Sequence, residues 1–132
     1  MQATEVIFLS NMAKSTKKTN TGGFKRSPCP VANTLDVIGD KWSLLVLRDL
    51  FAGKSTYCEM HQSPEAIPTN ILADRLSRLV EQGLVDKAPY QQKPVRYAYT
   101  LTQKGRDLGP VLIEMVNWGE KYFPGSKAMI KP

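Results

Sequence analysis

The run Ile67-Pro68-Thr69-Asn70-Ile71-Leu72-Ala73-Asp74-Arg75-Leu76-Ser77-Arg78-Leu79-Val80-Glu81-Gln82-Gly83 decides the fold. Leu72, Leu76, Leu79 and Val80 recur at helical spacing and form an apolar stripe, with Ile71 on its edge. Thr69, Asn70, Ala73, Asp74, Ser77 and Arg78 lie away from that stripe and are small or polar. Pro68 and Thr69 suit a helix start, and Gly83 suits a left-handed stop after Gln82. Such a helix can be held against a domain by its apolar back and offered to a groove by its polar front. The same pattern describes an ordinary amphipathic surface helix, so the neighbouring segments decide between the two.

Upstream, Thr56-Tyr57-Cys58-Glu59 has the spacing of a capping box, with Thr56 at the cap and Glu59 at the third position. A short helix should follow to about His61 or Gln62, and Ser63-Pro64-Glu65-Ala66 should turn. A short helix, a tight turn and a longer helix with a polar outer face form the helix-turn-helix pattern. After Gly83 the period changes from 3.6 toward 2. Leu84 to Ala88 reads as a strand, Pro89 to Pro94 as a loop, and Val95 to Leu101 as a second strand. A hairpin directly behind such a helix is a wing, with Lys93 at its tip and Lys87 and Arg96 on its flank.

Farther out, Pro30 starts a helix through Val31, Leu35 and Ile38 that ends at Gly39. Asp40 is placed to cap a second helix, Lys41 to Ala52, stopped by Gly53. Its Trp42, Leu45, Val46 and Leu50 share one side, and Leu44, Leu47 and Phe51 widen it, which implies burial on more than one side. Thr102 is placed to cap a last long helix, about Gln103 to Tyr122, with Gly109-Pro110 delaying or bending its start. Leu108, Val111, Leu112, Met115, Val116, Trp118, Tyr122 and Phe123 make most of that helix apolar. One small domain does not easily cover it. The expectation is a homodimer, with this helix and the Pro30–Ile38 helix in the interface; the alternative is a helix folded back on its own domain.

Composition narrows the class. The 132 residues fit one domain with a tail, and a 42% hydrophobic fraction suits a globular core. The net charge of +6 is uneven. Lys14, Lys17, Lys18, Lys25 and Arg26 stand against Glu5 in residues 1–28, so the remainder is close to balanced. Overall basicity therefore argues only weakly for a polyanionic partner. Residues 1–27 read as a flexible basic arm: either it touches phosphates, or it is a solvated tail, or it is extra sequence upstream of a start at Met12. Residues 124–132 read as a C-terminal tail.

Two cysteines, Cys29 and Cys58, without a CxxC pair make neither a disulfide framework nor a zinc site, and a reducing cytoplasm is the default compartment. No apolar run approaches the roughly 18 residues that span a bilayer, and Val6-Ile7-Phe8-Leu9 has no basic residue before it, so neither a membrane span nor a secretory signal is expected. Gly53-Lys54-Ser55 resembles the end of a phosphate-binding loop, but that motif needs glycine where Arg48 stands and a strand where a helix is expected. His61 is the single histidine, with no acid/base or nucleophile motif around it. Neither an enzyme, a metal site nor a cofactor is expected.

Cys29-Pro30-Val31, Leu35-Asp36-Val37-Ile38-Gly39-Asp40-Lys41-Trp42 and Leu44 through Arg48-Asp49-Leu50 resemble the opening of HxlR-type transcriptional regulators. Asn70 to Leu76, Gly83-Leu84-Val85, Pro94-Val95-Arg96-Tyr97, Tyr99-Thr100-Leu101-Thr102-Gln103-Lys104-Gly105 and Trp118-Gly119 continue the resemblance in unbroken order. It covers the segment taken as the domain, residues 28–123. It implies a mainly α fold with a small β-hairpin, a winged helix-turn-helix with N- and C-terminal dimerisation helices. It further implies a bacterial or archaeal protein, nucleoid-associated when bound to double-stranded operator DNA. Some members of the family respond to electrophiles, quinones or oxidants through a cysteine in the position of Cys29; others have no known ligand.

Two copies of the helix after Pro68 would enter successive major grooves of an inverted repeat, as a repressor does. Thr69, Asn70 and Asp74 are the candidates for base edges: Asn70 suits adenine, and Asp74 either accepts from cytosine or orients an arginine. Arg75 and Arg78 either reach phosphates or pair with Asp74 or Glu81. Lys93 and Arg96 suit phosphate or the minor groove, unless Arg96 braces the wing. Cys29, beside a helix N-terminus, would have a stabilised thiolate if exposed, and Cys58 could form a mixed or intersubunit disulfide with it. The alternative is that both are small buried hydrophobes. The competing class is a winged-helix interaction module that binds no specific DNA.

Overall fold

Leu44-Leu45-Val46-Leu47 and Leu50-Phe51 leave almost no polar side to the helix they form, and this helix lies at the centre of its unit. The computed structural model describes residues 24–130 and divides at Asp40/Lys41 into two compact units. The basic stretch from Lys14 to Gly23 lies outside the described residues.

In the first unit, α1 spans Pro30–Ile38, with Cys29 at its N-cap and Gly39 at its C-cap, as the sequence spacing predicts. Arg26 Nε donates to Asp36 Oδ1 at 2.8 Å, and its Nη2 donates to the Ala32 carbonyl, tying the preceding segment to the helix. Ile38 is buried, whereas Val31 and Leu35 are exposed.

The second unit runs α2 (Ser43–Phe51), α3 (Tyr57–His61), α4 (Thr69–Glu81), β1 (Val85–Gln92), β2 (Val95–Leu101), α5 (Gln103–Arg106) and α6 (Gly109–Tyr122). Val46 and Leu47 of α2 are fully buried, and the helix packs against α4, β2 and α6. The helix starts two residues later than expected, with Trp42 rather than Asp40 at its N-cap position. The first helical bond runs from the Val46 N–H to the Trp42 carbonyl, so Lys41-Trp42 form a turn and Trp42 is the N-cap, with no side-chain cap bond.

The capping box at the start of α3 is complete. Thr56 Oγ1 accepts from the Glu59 N–H, and Glu59 Oε1 accepts from the Thr56 and Ser55 N–H groups. Those backbone donors hold the Glu59 carboxyl below its ordinary range. α4 is buried along Leu72, Leu76 and Leu79, each contributing about 1.5–3 kcal/mol by leaving water. It ends before Gly83, whose φ of +78° lets the chain reverse into β1.

β1 and β2 pair antiparallel from Val85↔Leu101 to Gln92↔Val95. The expected loop from Pro89 to Pro94 is mostly strand. Pro89 pairs with Tyr97 on a sheet edge, where a missing N–H costs little, and one bulge at Tyr90 restores the register, leaving only Lys93-Pro94 as the turn. On the other edge of β2, the Tyr99 N–H donates to the Ser55 carbonyl at 2.7 Å, and Thr56 bridges Ala98.

The last helix is likewise two helices. Thr102 Oγ1 accepts from the Gly105 N–H to cap α5, and it donates to the Gly83 carbonyl at 2.6 Å, fastening the end of α4 to the end of the wing. Gly105 fits because a Cβ there would lie 2.2 Å from the Leu84 carbonyl oxygen. Pro110 cannot donate a helical bond, so α6 starts afresh at Gly109.

Candidate nucleic-acid interface

α3, the turn 62–68 and α4 make the helix-turn-helix. Its turn is held by a polar cluster that sequence reading overlooked. Arg48 of α2 donates Nη1 and Nη2 to both Glu65 oxygens at 2.7 Å, and its Nε and Nη2 donate to Asp49 Oδ1 at 3.1 and 2.8 Å. Asp49 is fully buried, and its Oδ2 accepts from Ser63 Oγ. Lys54 Nζ donates to the same Ser63 oxygen at 2.6 Å. The turn residues Ser63 and Glu65 are therefore clamped to α2. Hydrogen bonding to Glu65 raises the Arg48 pKa, and the same bond holds the Glu65 carboxyl below its ordinary range. The signal available in the sequence was a charged pair, Arg48-Asp49, inside an otherwise apolar helix.

With the turn fixed, α4 presents its front. Thr69, Asn70, Ala73, Asp74, Ser77 and Arg78 are all exposed, on the side opposite Leu72, Leu76 and Leu79. Tyr57 Oη donates to the Thr69 carbonyl at 2.9 Å, which sets the first turn of α4 against α3. No side chain caps α4, so its first N–H groups and the positive end of its dipole face outward, where an anion is favoured. Arg75 and Arg78 both turn to Asp74: Arg75 Nη1 donates to Oδ2, and Arg78 Nη1 stands 3.8 Å from the same oxygen.

The wing adds two cations. Lys93 lies at the hairpin turn and Arg96 pairs with Gln91 near the tip, away from the wing base. Both are exposed, and among the described residues neither forms an ion pair. Lys87 instead stacks over the Tyr97 ring, 4.6 Å from its centroid. Of the two alternatives left open for the cysteines, Cys29 is buried whereas Cys58 is exposed on α3, and both are free thiols. Among the described residues no cluster of His, Cys, Asp and Glu has the make-up to hold a metal ion, and no helix is long and apolar enough to cross a membrane.

α6 carries an apolar face that the described residues leave exposed. Val111, Met115, Trp118 and Tyr122 recur at helical spacing and are exposed, with Trp118 62% accessible. The rings of Tyr122 and Phe123 lie 5.1 and 6.0 Å from that of Trp118.

Comparison with known proteins agrees with this geometry. The family model described as HxlR-like helix-turn-helix matches residues 37–127. An HTH-type transcriptional regulator of Mycobacterium tuberculosis is 38% identical over 94 residues, covering 71% of this chain and 59% of that protein. The chain thus spans about three-fifths of the length of the mycobacterial relatives it matches. Among solved structures, PA1607, described as a transcription factor, is 40% identical with a TM-score of 0.68 over 85% of this chain and 75% of that one. The redox regulator HypR in its oxidised form is 36% identical with a TM-score of 0.65, over 70% of this chain and 96% of that one.

Proposed function

The chain belongs to the HxlR-like helix-turn-helix family, and from that premise we propose that it is a homodimeric repressor that reads an inverted-repeat operator. The observation that carries this reading is the exposed front of α4 beside a wing whose Lys93 and Arg96 have no ion partner among the described residues. α4 enters the major groove, where Thr69, Asn70 and Asp74 meet base edges and Arg78 approaches phosphate. Lys93 and Arg96 hold the backbone or the minor groove alongside. The working domain is residues 28–123, and two copies meet through α1 and the apolar face of α6.

Fluorescence anisotropy with the duplex upstream of the protein's own gene, against a scrambled duplex, tests this reading across a salt series. Wild type should prefer the native duplex. Lys93→Ala and Arg96→Ala should each lower the slope of log K against log salt by about one unit on both duplexes. Binding that ignores salt would exclude a DNA reader. A slope unchanged in both variants would remove the wing from the interface.

Redox control through Cys29 belongs to the same reading. It is supported by the cysteine's position at the N-cap of α1 and by the likeness to a protein named as a redox regulator. Because Cys29 is buried, modification by an oxidant or electrophile must first displace its surroundings, and it thereby alters the dimer and releases DNA. Cys58, exposed on α3, is the candidate partner for a disulfide. Diamide should release wild type from DNA and leave Cys29→Ser bound. Equal release of both would end the sensor assignment.

A further inference from the structure

The front of α4 carries a carboxylate where a surface meeting phosphates gains nothing from negative charge. Asp74 is 53% exposed, and its single Oδ2 takes both arginines of the helix. Arg75 is held close and only 16% exposed, whereas Arg78, 3.8 Å away, is 49% exposed. The Asp74–Arg78 pair, with both side chains about half exposed, is weak, so a phosphate or a base-edge donor can compete for either of these two partners. The carboxylate is an acceptor only, and the groove edges that can satisfy it are donors, chiefly the cytosine amino group.

Resting on the reading that α4 enters the major groove, we propose that Asp74 is a positioning residue that sets discrimination between target and non-target DNA by withholding Arg78 from phosphates. On a non-target duplex the carboxylate keeps the Arg78 guanidinium and repels the backbone. On a target that presents an amino group to Oδ2, that donor replaces Arg78, which is then free for phosphate. The acid lowers affinity for the wrong partner more than for the right one, which is how specificity is gained by repulsion.

The test compares wild type, Asp74→Ala and Asp107→Asn on random duplex and on duplexes that wild type has selected from a random pool. Asp107 is exposed between α5 and α6, so its variant has the same change in net charge without touching the arginines. Alanine at an exposed helical position preserves α4, which circular dichroism checks. Asp74→Ala should bind random duplex about tenfold more tightly, with a salt slope steeper by about one unit as Arg78 finds a phosphate. Its preference for selected duplex should fall by about tenfold, and Asp107→Asn should keep the wild-type preference and slope. If Asp74→Ala keeps the preference and slope shown by Asp107→Asn, the proposal is wrong. If wild type selects nothing and its binding ignores salt, the DNA reading itself fails and this inference falls with it.

Discussion

Arg48→Leu should destabilise the folded chain by about 3–5 kcal/mol, the cost of leaving a buried charge without its partner. Asp49 is fully buried, and its Oδ1 depends on Arg48, while Glu65 loses both of its donors. The loss should appear as a lower urea midpoint with an unchanged slope. Arg48→Leu combined with Asp49→Leu should be less destabilised than Arg48→Leu alone, because the stranded charge is gone. Acid supplies an independent check. The folded Glu65 carboxyl titrates below its unfolded value, so its contribution is complete at neutral pH and disappears as pH falls through the folded value. Glu65→Gln should flatten stability against pH in that acid window. If Arg48→Leu lowers the stability, read as midpoint shift times slope, by less than about 1 kcal/mol, the cluster does not clamp the turn.

The clamp also explains what the sequence left unread. The box at Thr56 and Glu59 is legible because its partners are three residues apart and the chemistry is local. α4 is legible because Leu72, Leu76 and Leu79 repeat at the period of the helix they form. Arg48 and Glu65 are seventeen residues apart, and no periodicity relates them; only the packing of the turn against α2 brings them together. The prolines misled in a different way. Pro89 and Pro94 mark a loop in most contexts, yet an edge strand accepts Pro89 and a bulge at Tyr90 absorbs the mismatch, so β1 runs on to Gln92. At the candidate interface, residue spacing indicated which side chains share the front of α4. It left open whether Arg75 and Arg78 reach outward or pair with Asp74, since that depends on rotamers competing for one oxygen. The burial of Cys29 was equally unreadable, because a cysteine beside a helix start looks the same in sequence whether covered or open.

Trp118→Glu should convert a dimer to a monomer, and of the proposed interface residues it should have the largest effect. Removing one large apolar side chain from a buried site costs about 1.5–3 kcal/mol. A two-fold interface counts each substitution twice, so the dimer should weaken by about 3–6 kcal/mol, roughly a hundredfold to ten-thousandfold in Kd. Trp118 is 62% exposed within one chain, so the fold of the chain itself should survive, with the urea midpoint of the monomer as the check. Sedimentation equilibrium reads the mass directly. DNA binding gives a second readout that separates dimerisation from base reading. The variant should lose affinity for a two-half-site duplex while keeping wild-type affinity for a single half-site, because α4 and the wing are untouched. Unchanged mass for Trp118→Glu would place the interface elsewhere and leave the exposed row Val111, Met115, Trp118 and Tyr122 to some other partner. Equal losses on both duplexes would mean that α6 supports the DNA-binding front within one chain rather than joining two.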